Sequence, residues 1–401
     1  MGDDVNTPRH GGDTISIGAS SNRRADAMLL LGVFFFYLTL SFLFFGRGLI
    51  GHFSDRFIGR DADPSQMMWL LKWWPYALAH RLSPFLTNYV WGAVGFNLAV
   101  MTSIPLPALL AAPFTQTIGV VATYNLLVLL AIALAALSAF ALCRRITHAL
   151  WPSIFGGFVF GFSSYMVAHT LNHFCLLLIF PLPLAAYLVV RCLEGSISAF
   201  SFTALMTAAL LAEFLFEPDP FTTAAVVGAG VLTVGFCYSS NEMRRSLART
   251  AGLIAISYIL TGLILIPYLY YFFAFGTLHQ LFWPAERFSI DLLNWFTPTE
   301  ANLIGTLKPF SQMTSRFSGT VAERDGYVAL PLLAIAISWL RRHWPAPLAK
   351  TIAVSMAMVS VGALGPFLQV AGRVLVPMPW LAIEHLPLVQ HTLPARLMVF
   401  P

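Results

Sequence analysis

Apolar runs of about 20 residues, separated by short basic turns, recur from Met28 almost to the end of this chain. A helix of that length crosses the hydrocarbon core of a bilayer, and it satisfies its own backbone N–H and C=O groups while doing so. The runs lack the alternating in–out pattern of a membrane β-barrel. Charge supports the same reading: 10% of residues are charged, against about 25% in a soluble domain, and mean hydropathy is +0.74. Too few charges remain to cover a water-facing surface. The expected fold is therefore an all-α polytopic membrane protein of about nine transmembrane helices, at 28–45, 120–142, 151–168, 174–190, 200–216, 221–238, 251–275, 327–340 and 351–370.

The basic residues sort these runs into a topology. Arg23-Arg24, Arg144-Arg145, Arg191, Arg244-Arg245 with Arg249, and Arg341-Arg342 with Lys350 all fall on one side. Short loops rich in Lys and Arg stay in the cytoplasm, so the N-terminus is expected inside the plasma (inner) membrane. Residues 1–25 read as a disordered cytoplasmic tail, followed by one membrane domain over 26–401. Three long segments are expected outside: 47–119, 276–326 and 371–401. The stretch 106–118 is apolar, but Pro105, Pro107 and Pro113 interrupt it. As a span it would flip every later basic cluster outward, so it is expected to be only partly embedded.

The net charge of +5 is spread among these turns, with no basic stripe for a nucleic acid. The four cysteines have no CxxC spacing, and no disulfide is expected. No internal repeat suggests the paired halves of a secondary transporter.

The first outer segment carries the chemistry. Asp63-Pro64-Ser65-Gln66 has the look of a helix start, with Asp63 as cap and Gln66 closing a capping box. The helix expected over 66–81 is rich in Trp and amphipathic, which suits the membrane interface. Its Trp69, Trp73 and Trp74 are expected at headgroup depth. Asp63 reads as a cap or as a functional carboxylate, and Asp61 as a solvated loop acid or its partner. Near a lipid phosphate, such an acid can bind through a divalent cation or deprotonate a hydroxyl.

The chain resembles the GT-C class of integral membrane glycosyltransferases, in a bacterial branch related to dolichyl-phosphate-mannose-type and arabinosyl-type transferases. The resemblance rests on a first span followed by a long outer loop with an early acidic pair. It also rests on Asp63-Pro-Ser-Gln through Trp69, Trp73-Trp74-Pro-Tyr-Ala-Leu, Asn97 to Pro105, and Tyr124-Asn125-Leu126-Leu127 leading to Arg144-Arg145. Gly161-Phe-Ser-Ser-Tyr-Met166 with His173, Leu292-Leu293-Asn294 to Pro298, and Leu393-Pro-Ala-Arg396 complete it. The resemblance implies a lipid-linked sugar donor on a polyprenyl phosphate, a lipid or polysaccharide acceptor, and a first-loop carboxylate as base. By position that base is Asp63, then Asp61, although here the pair is split by Ala62. It further implies a basic residue against the donor phosphate, which falls on Arg396. No Gly-rich nucleotide loop is present. Proteins of this class continue with further spans, so the stop at Val399-Phe400-Pro401 reads as the end of a piece.

Other polar residues complete the inventory. His169 and His173 form an i, i+4 pair that can hold a metal on one helix face or contact substrate. Glu213, Glu217 and Asp219 cluster at the end of a span, with Glu217 favoured for the site. Glu286, Arg287, Glu323, Arg324 and Asp325 read as ordinary solvated charges. Gln66, His173, Glu217 and Arg396 are thus the substrate-contact candidates, with a divalent cation as the one cofactor envisaged. Membrane lipids are the expected surroundings, and the rival readings are a lipid or polysaccharide transporter and a non-catalytic scaffold.

Overall fold

The computed structural model describes residues 15–60, 62–90, 92, 94–275, 283–385 and 392–400, with side-chain surroundings from residue 24 onward. Asp61 lies outside the described residues, as do residues 1–14 of the expected tail. The rest of that tail is helical, because α1 runs Ile15–Ser41 and continues through a π turn at Phe42–Gly46.

After α1 come α2 (Asp63–Ala79), α3 (Pro105–Leu110), α4 (Ala112–Thr117), α5 (Val120–Thr147), α6 (Leu150–Gly161), α7 (Ser164–His169) and α8 (Pro181–Leu193). Then follow α9 (Ala199–Phe216), α10 (Pro218–Tyr238), α11 (Asn241–Ile264), α12 (Ile266–Ala274), α13 (Lys308–Thr314), α14 (Leu330–His343) and α15 (Pro347–Ala363). Two small antiparallel hairpins pair β1 (Leu86–Thr87) with β2 (Phe96–Asn97) and β3 (Phe367–Val370) with β4 (Arg373–Pro377).

The chain is an all-α polytopic membrane protein. Among the described residues, seven stretches are long and apolar enough to cross a bilayer: Arg24–Leu49, Val120–Thr147, Leu150–His169, Phe174–Leu193, Ala199–Phe216, Pro218–Tyr238 and Asn241–Ile264. Large side chains such as Phe35, Phe44, Ile259 and Leu263 are exposed along them, a surface suited to lipid. The two expected C-terminal spans are shorter. At 14 residues α14 reaches only about 21 Å, and α15 stops at Ala363 because 367–370 pairs as β3 instead of extending the helix. The run at 251–275 is broken into α11 and α12 at Leu265, where Pro267 enters the first turn of the new helix. Residues 106–118 form two six-residue helices, too short to span.

The bundle is built around α5, whose Ala131, Ile132, Ala133, Ala135 and Ala136 are wholly buried. Gly157 and Gly161 of α6 face this strip. A Cβ on Gly161 would sit 2.5 Å from that of Ala136, so two small residues four apart let the helices touch backbone to backbone.

Two expectations about α2 are corrected. The helix starts at Asp63 itself; Ala62 occupies the cap position and no side chain caps it, so there is no capping box. The Trp side chains are also differently placed. Trp73 and Trp74 are buried, and their indole N–H groups donate to the Pro84 carbonyl at 2.9 Å and the Ser103 carbonyl at 2.7 Å. They belong to the protein core together with Met67, Leu70 and Leu71. Once its N–H finds a carbonyl inside, a Trp has no need of the lipid headgroups.

Spans that alternate in direction sort their connections to two ends of the bundle. Arg145 meets Glu194 at 2.8 Å at the basic end, joining the α5–α6 and α8–α9 turns. The first-loop helix, the α7–α8 turn and the α9–α10 junction gather at the other end.

Candidate functional site

Five separated stretches converge at that second end. The break between α6 and α7 at Phe162-Ser163, where Ser163 Oγ accepts from the Met166 N–H, sets off a short helix that ends in His169. His173 follows one turn later, and the two Nδ1 atoms lie 2.9 Å apart. Asp63 approaches from the first loop with Oδ2 3.4 Å from His173 Nε2. From the second outer segment come Glu323, whose Oε1 is 3.7 Å from His173 Nδ1, and Asp325, whose Oδ2 is 3.5 Å from His169 Nε2. Arg396 closes the cluster. Its Nη2 donates to Glu323 at 3.0 Å and its Nη1 to Asp219 at 3.0 Å.

Local structure explains why these residues meet. The first loop is anchored by Asn125, a wholly buried amide on α5. Its Oδ1 accepts from the Ile58 N–H at 2.9 Å, and its Nδ2 donates to the carbonyls of Phe53 at 2.9 Å and Arg56 at 2.7 Å. Gly59 then passes so close to α7 that a Cβ would lie 2.7 Å from the Leu171 carbonyl, at a φ of +103°. Only glycine fits, and the adjacent Arg60 N–H donates to that carbonyl at 2.7 Å. Asp63 is thereby delivered to His173. The opposite wall is fastened by Asp291, whose carboxylate accepts from the N–H groups of Leu293, Ala371 and Gly372. The Ala395 N–H donates to the Phe288 carbonyl at 3.0 Å, which sets Arg396 against the second outer segment. Asn125→Ala is expected to strip three hydrogen bonds from the first loop. A buried group left unsatisfied costs about 1–3 kcal/mol, so thermal unfolding should report a loss of at least that size.

Exposure grades across the cluster. The Asp63 side chain is 45% exposed, whereas those of Glu323 and Asp325 are 2% and 0% exposed. Burial pushes the Glu323 carboxyl up, but Arg396 and the two histidines outweigh it and hold the group down at about 2. Burial, reinforced by Glu323, raises Asp325 well above the usual carboxylate range. Burial and the neighbouring His169 push His173 down to about 4. Burial works against the Arg396 cation, yet Glu323, Asp219 and Glu217 overcome it and keep the guanidinium firmly protonated.

A family model described as Domain of unknown function (DUF6311) matches residues 29–388. The chain belongs to the DUF6311 family. No curated protein and no solved structure is significantly similar to it. Every site residue except Arg396 lies inside the DUF6311 match.

Of the residues singled out in the sequence, Asp63, His169, His173, Asp219 and Arg396 come together. Glu217 stands beside them, buried, with Thr102 donating to its Oε2 at 2.7 Å. Gln66 does not join: it is exposed on α2, one turn from Asp63. Glu213 is buried one turn inside α9, with both oxygens unpartnered among the described residues. Arg396, the residue expected against the donor phosphate, is held by two carboxylates, Glu323 and Asp219. One expectation fails. Glu323 and Asp325 are buried, not solvated, and Arg324 donates to the carbonyls of Phe317, Ser318 and Gly319. No local pattern marks these residues, because the segment has neither helical nor strand period. The one available signal was position, opposite the first-loop acids on the same side of the bundle.

Proposed function

We propose that this DUF6311 protein is a glycosyltransferase that moves a sugar from a polyprenyl-phosphate carrier to a lipid or polysaccharide acceptor at the outer face of a bacterial inner membrane. One observation carries the reading. A half-exposed carboxylate, Asp63, stands over a less exposed floor of His173, Glu323 and Arg396, of which Glu323 is buried. A carboxylate so placed can meet solvent-side acceptors while its orientation is fixed from below. The basic turns sit at the opposite end, which puts Asp63 outside under the positive-inside rule.

The acceptor hydroxyl attacks the anomeric carbon as the bond to the carrier phosphate breaks. Asp63 takes the hydroxyl proton through its free oxygen and later returns it to water, the carrier phosphate leaves with the bonding pair, and the anomeric centre inverts. Gln66, outside the cluster but exposed one helical turn along α2, is the residue this reading offers to the acceptor, while Glu217 lines the deeper side beside Thr102. Asp61 remains the second candidate for the base. Arg396 balances the buried acids. A divalent cation is the cofactor this reading allows.

A transporter would favour ionisable residues along a path through the middle of the bundle, whereas the cluster here gathers at one end. Membranes containing the protein, given labelled polyprenyl-phosphate sugars, separate the readings. Transfer yields label on a new acceptor and free carrier phosphate. Transport moves label across the bilayer still attached to its lipid, which would sink the transferase.

A further inference from the structure

The two histidines pose a problem of protons. Their Nδ1 atoms face each other at 2.9 Å, so at most one hydrogen fits between them. Their Nε2 atoms each face a carboxylate: Asp325 at 3.5 Å for His169, and Asp63 at 3.4 Å for His173. A neutral ring carries one hydrogen. If one ring places it on Nδ1, that ring's Nε2 lone pair is turned on an acid oxygen, a contact relieved only when that acid is protonated or the ring is charged. If neither does, two Nδ1 lone pairs collide. Nearby acceptors are already in excess. His169 Nε2, Glu323 Oε2 and both oxygens of Asp325 are buried with no hydrogen-bond partner among the described residues. Buried polar atoms left this way are costly and call for a missing partner.

We propose that His169, His173 and Glu323 bind a divalent transition-metal ion of the zinc class through the two Nδ1 atoms and a Glu323 oxygen. Each residue offers a ligand atom, and the three atoms lie within 4.8 Å of one another. Around tetrahedral zinc, with bonds of about 2.0–2.2 Å, neighbouring ligand atoms stand about 3.3 Å apart. The separations here, 2.9 Å between the nitrogens and 3.7 Å from His173 Nδ1 to Glu323, bracket that value. An ion between the Nδ1 atoms frees both ring hydrogens for the Nε2 positions. His169 then donates to Asp325, and His173 to Asp63. That is the usual outer arrangement of a metal-bound imidazole, in which the second ring nitrogen is held by a carboxylate. Two imidazoles select a borderline ion such as zinc over magnesium or calcium, which prefer oxygen. Two histidines with one glutamate also leave the fourth position open, as catalytic zinc sites do.

The site as a binding site stands without the transferase reading; only its use rests on that reading. With Arg396 already held by Glu323 and Asp219, an ion at this position is the group left to meet the carrier phosphate, and it is one residue removed from Asp63.

The test uses the intact protein, without a histidine tag, purified in detergent. After chelation and dialysis it is titrated with zinc, and in parallel with cobalt(II). The expected result is one tightly held zinc per chain, with cobalt giving the intense visible absorption of a tetrahedral site. His169→Ala with His173→Ala, and separately Glu323→Gln, should weaken binding at least tenfold, while Glu194→Gln, at the opposite end of the bundle, retains it. Circular dichroism identifies variants that fail to fold. For those, X-ray absorption on the zinc-loaded wild type decides, with two imidazoles and an oxygen expected. Wild-type binding no tighter than the double variant's, or an absorption spectrum without imidazole, overturns the proposal. A loaded site with no sugar transfer counts against the transferase alone, and full transfer by metal-free protein counts against the metal site alone.

Discussion

Arg396→Ala should cost this protein about 3–5 kcal/mol of stability, the usual penalty for breaking a buried ion pair by removing one partner. The guanidinium contacts Glu323, which is buried, and Asp219, whose side chain is 12% exposed, and its own side chain is only 20% exposed. Without it, two carboxylates at the junction of α10 with the outer segments lose their guanidinium partner, and no other Lys or Arg pairs with either among the described residues. The penalty is that of stranded charge, so it should fall when Glu323 is also replaced by Gln. Unfolding in detergent, followed by heat or denaturant, measures both variants. A loss under about 1 kcal/mol for the single variant would mean that the acids are not held by Arg396, and the described cluster would be wrong.

Asp63→Asn should remove sugar transfer while leaving the fold nearly intact. Removal of a general base typically costs about 10²- to 10⁴-fold in rate, or about 3–5 kcal/mol of barrier. The fold should tolerate the change because Asp63 caps nothing: Ala62 holds the cap position of α2, and the Asp63 carboxylate is turned to His173 instead. What stability remains at stake is the attraction of a first-turn carboxylate to the helix N-terminus, about 0.3–1 kcal/mol. Asn also keeps a carbonyl oxygen that can accept from the His173 ring. The substitution therefore separates a base, which must take a proton, from a residue that only orients the ring. Asp61→Asn should reduce transfer less than Asp63→Asn, and the reverse order would move the base to Asp61.

The sequence carries the membrane bundle plainly, because a run of about 20 apolar residues has one stable solution in a bilayer. Where two solutions exist, it misleads. Residues 351–370 are apolar enough for one span, yet the chain turns at Gly365 and pairs 367–370 as a strand. The Trp residues of α2 look interfacial because sequence cannot say that Pro84 and Ser103 supply carbonyls for them. In the site, the i, i+4 spacing of His169 and His173 is visible as a pair, and Asp63 is visible as an early-loop acid. The third partner is not. Glu323 sits between Ala322 and Arg324 in a stretch that reads as a wet loop, and only the fold removes it from water. Asn125 and Asp291 are hidden for a related reason. Each serves backbone groups far from it in sequence, and nothing local requires them.

The most direct measurement is transfer by the purified protein in nanodiscs, supplied with labelled polyprenyl-phosphate sugars and a lipid extract as acceptor. Wild type and Asp63→Asn are assayed side by side at equal folded concentration. The expected result is labelled product with stoichiometric release of carrier phosphate from wild type, and at least a hundredfold less from Asp63→Asn. Equal product from the two proteins, or none from a folded wild type with any such donor, would contradict the assignment of this cluster as a glycosyltransferase active site.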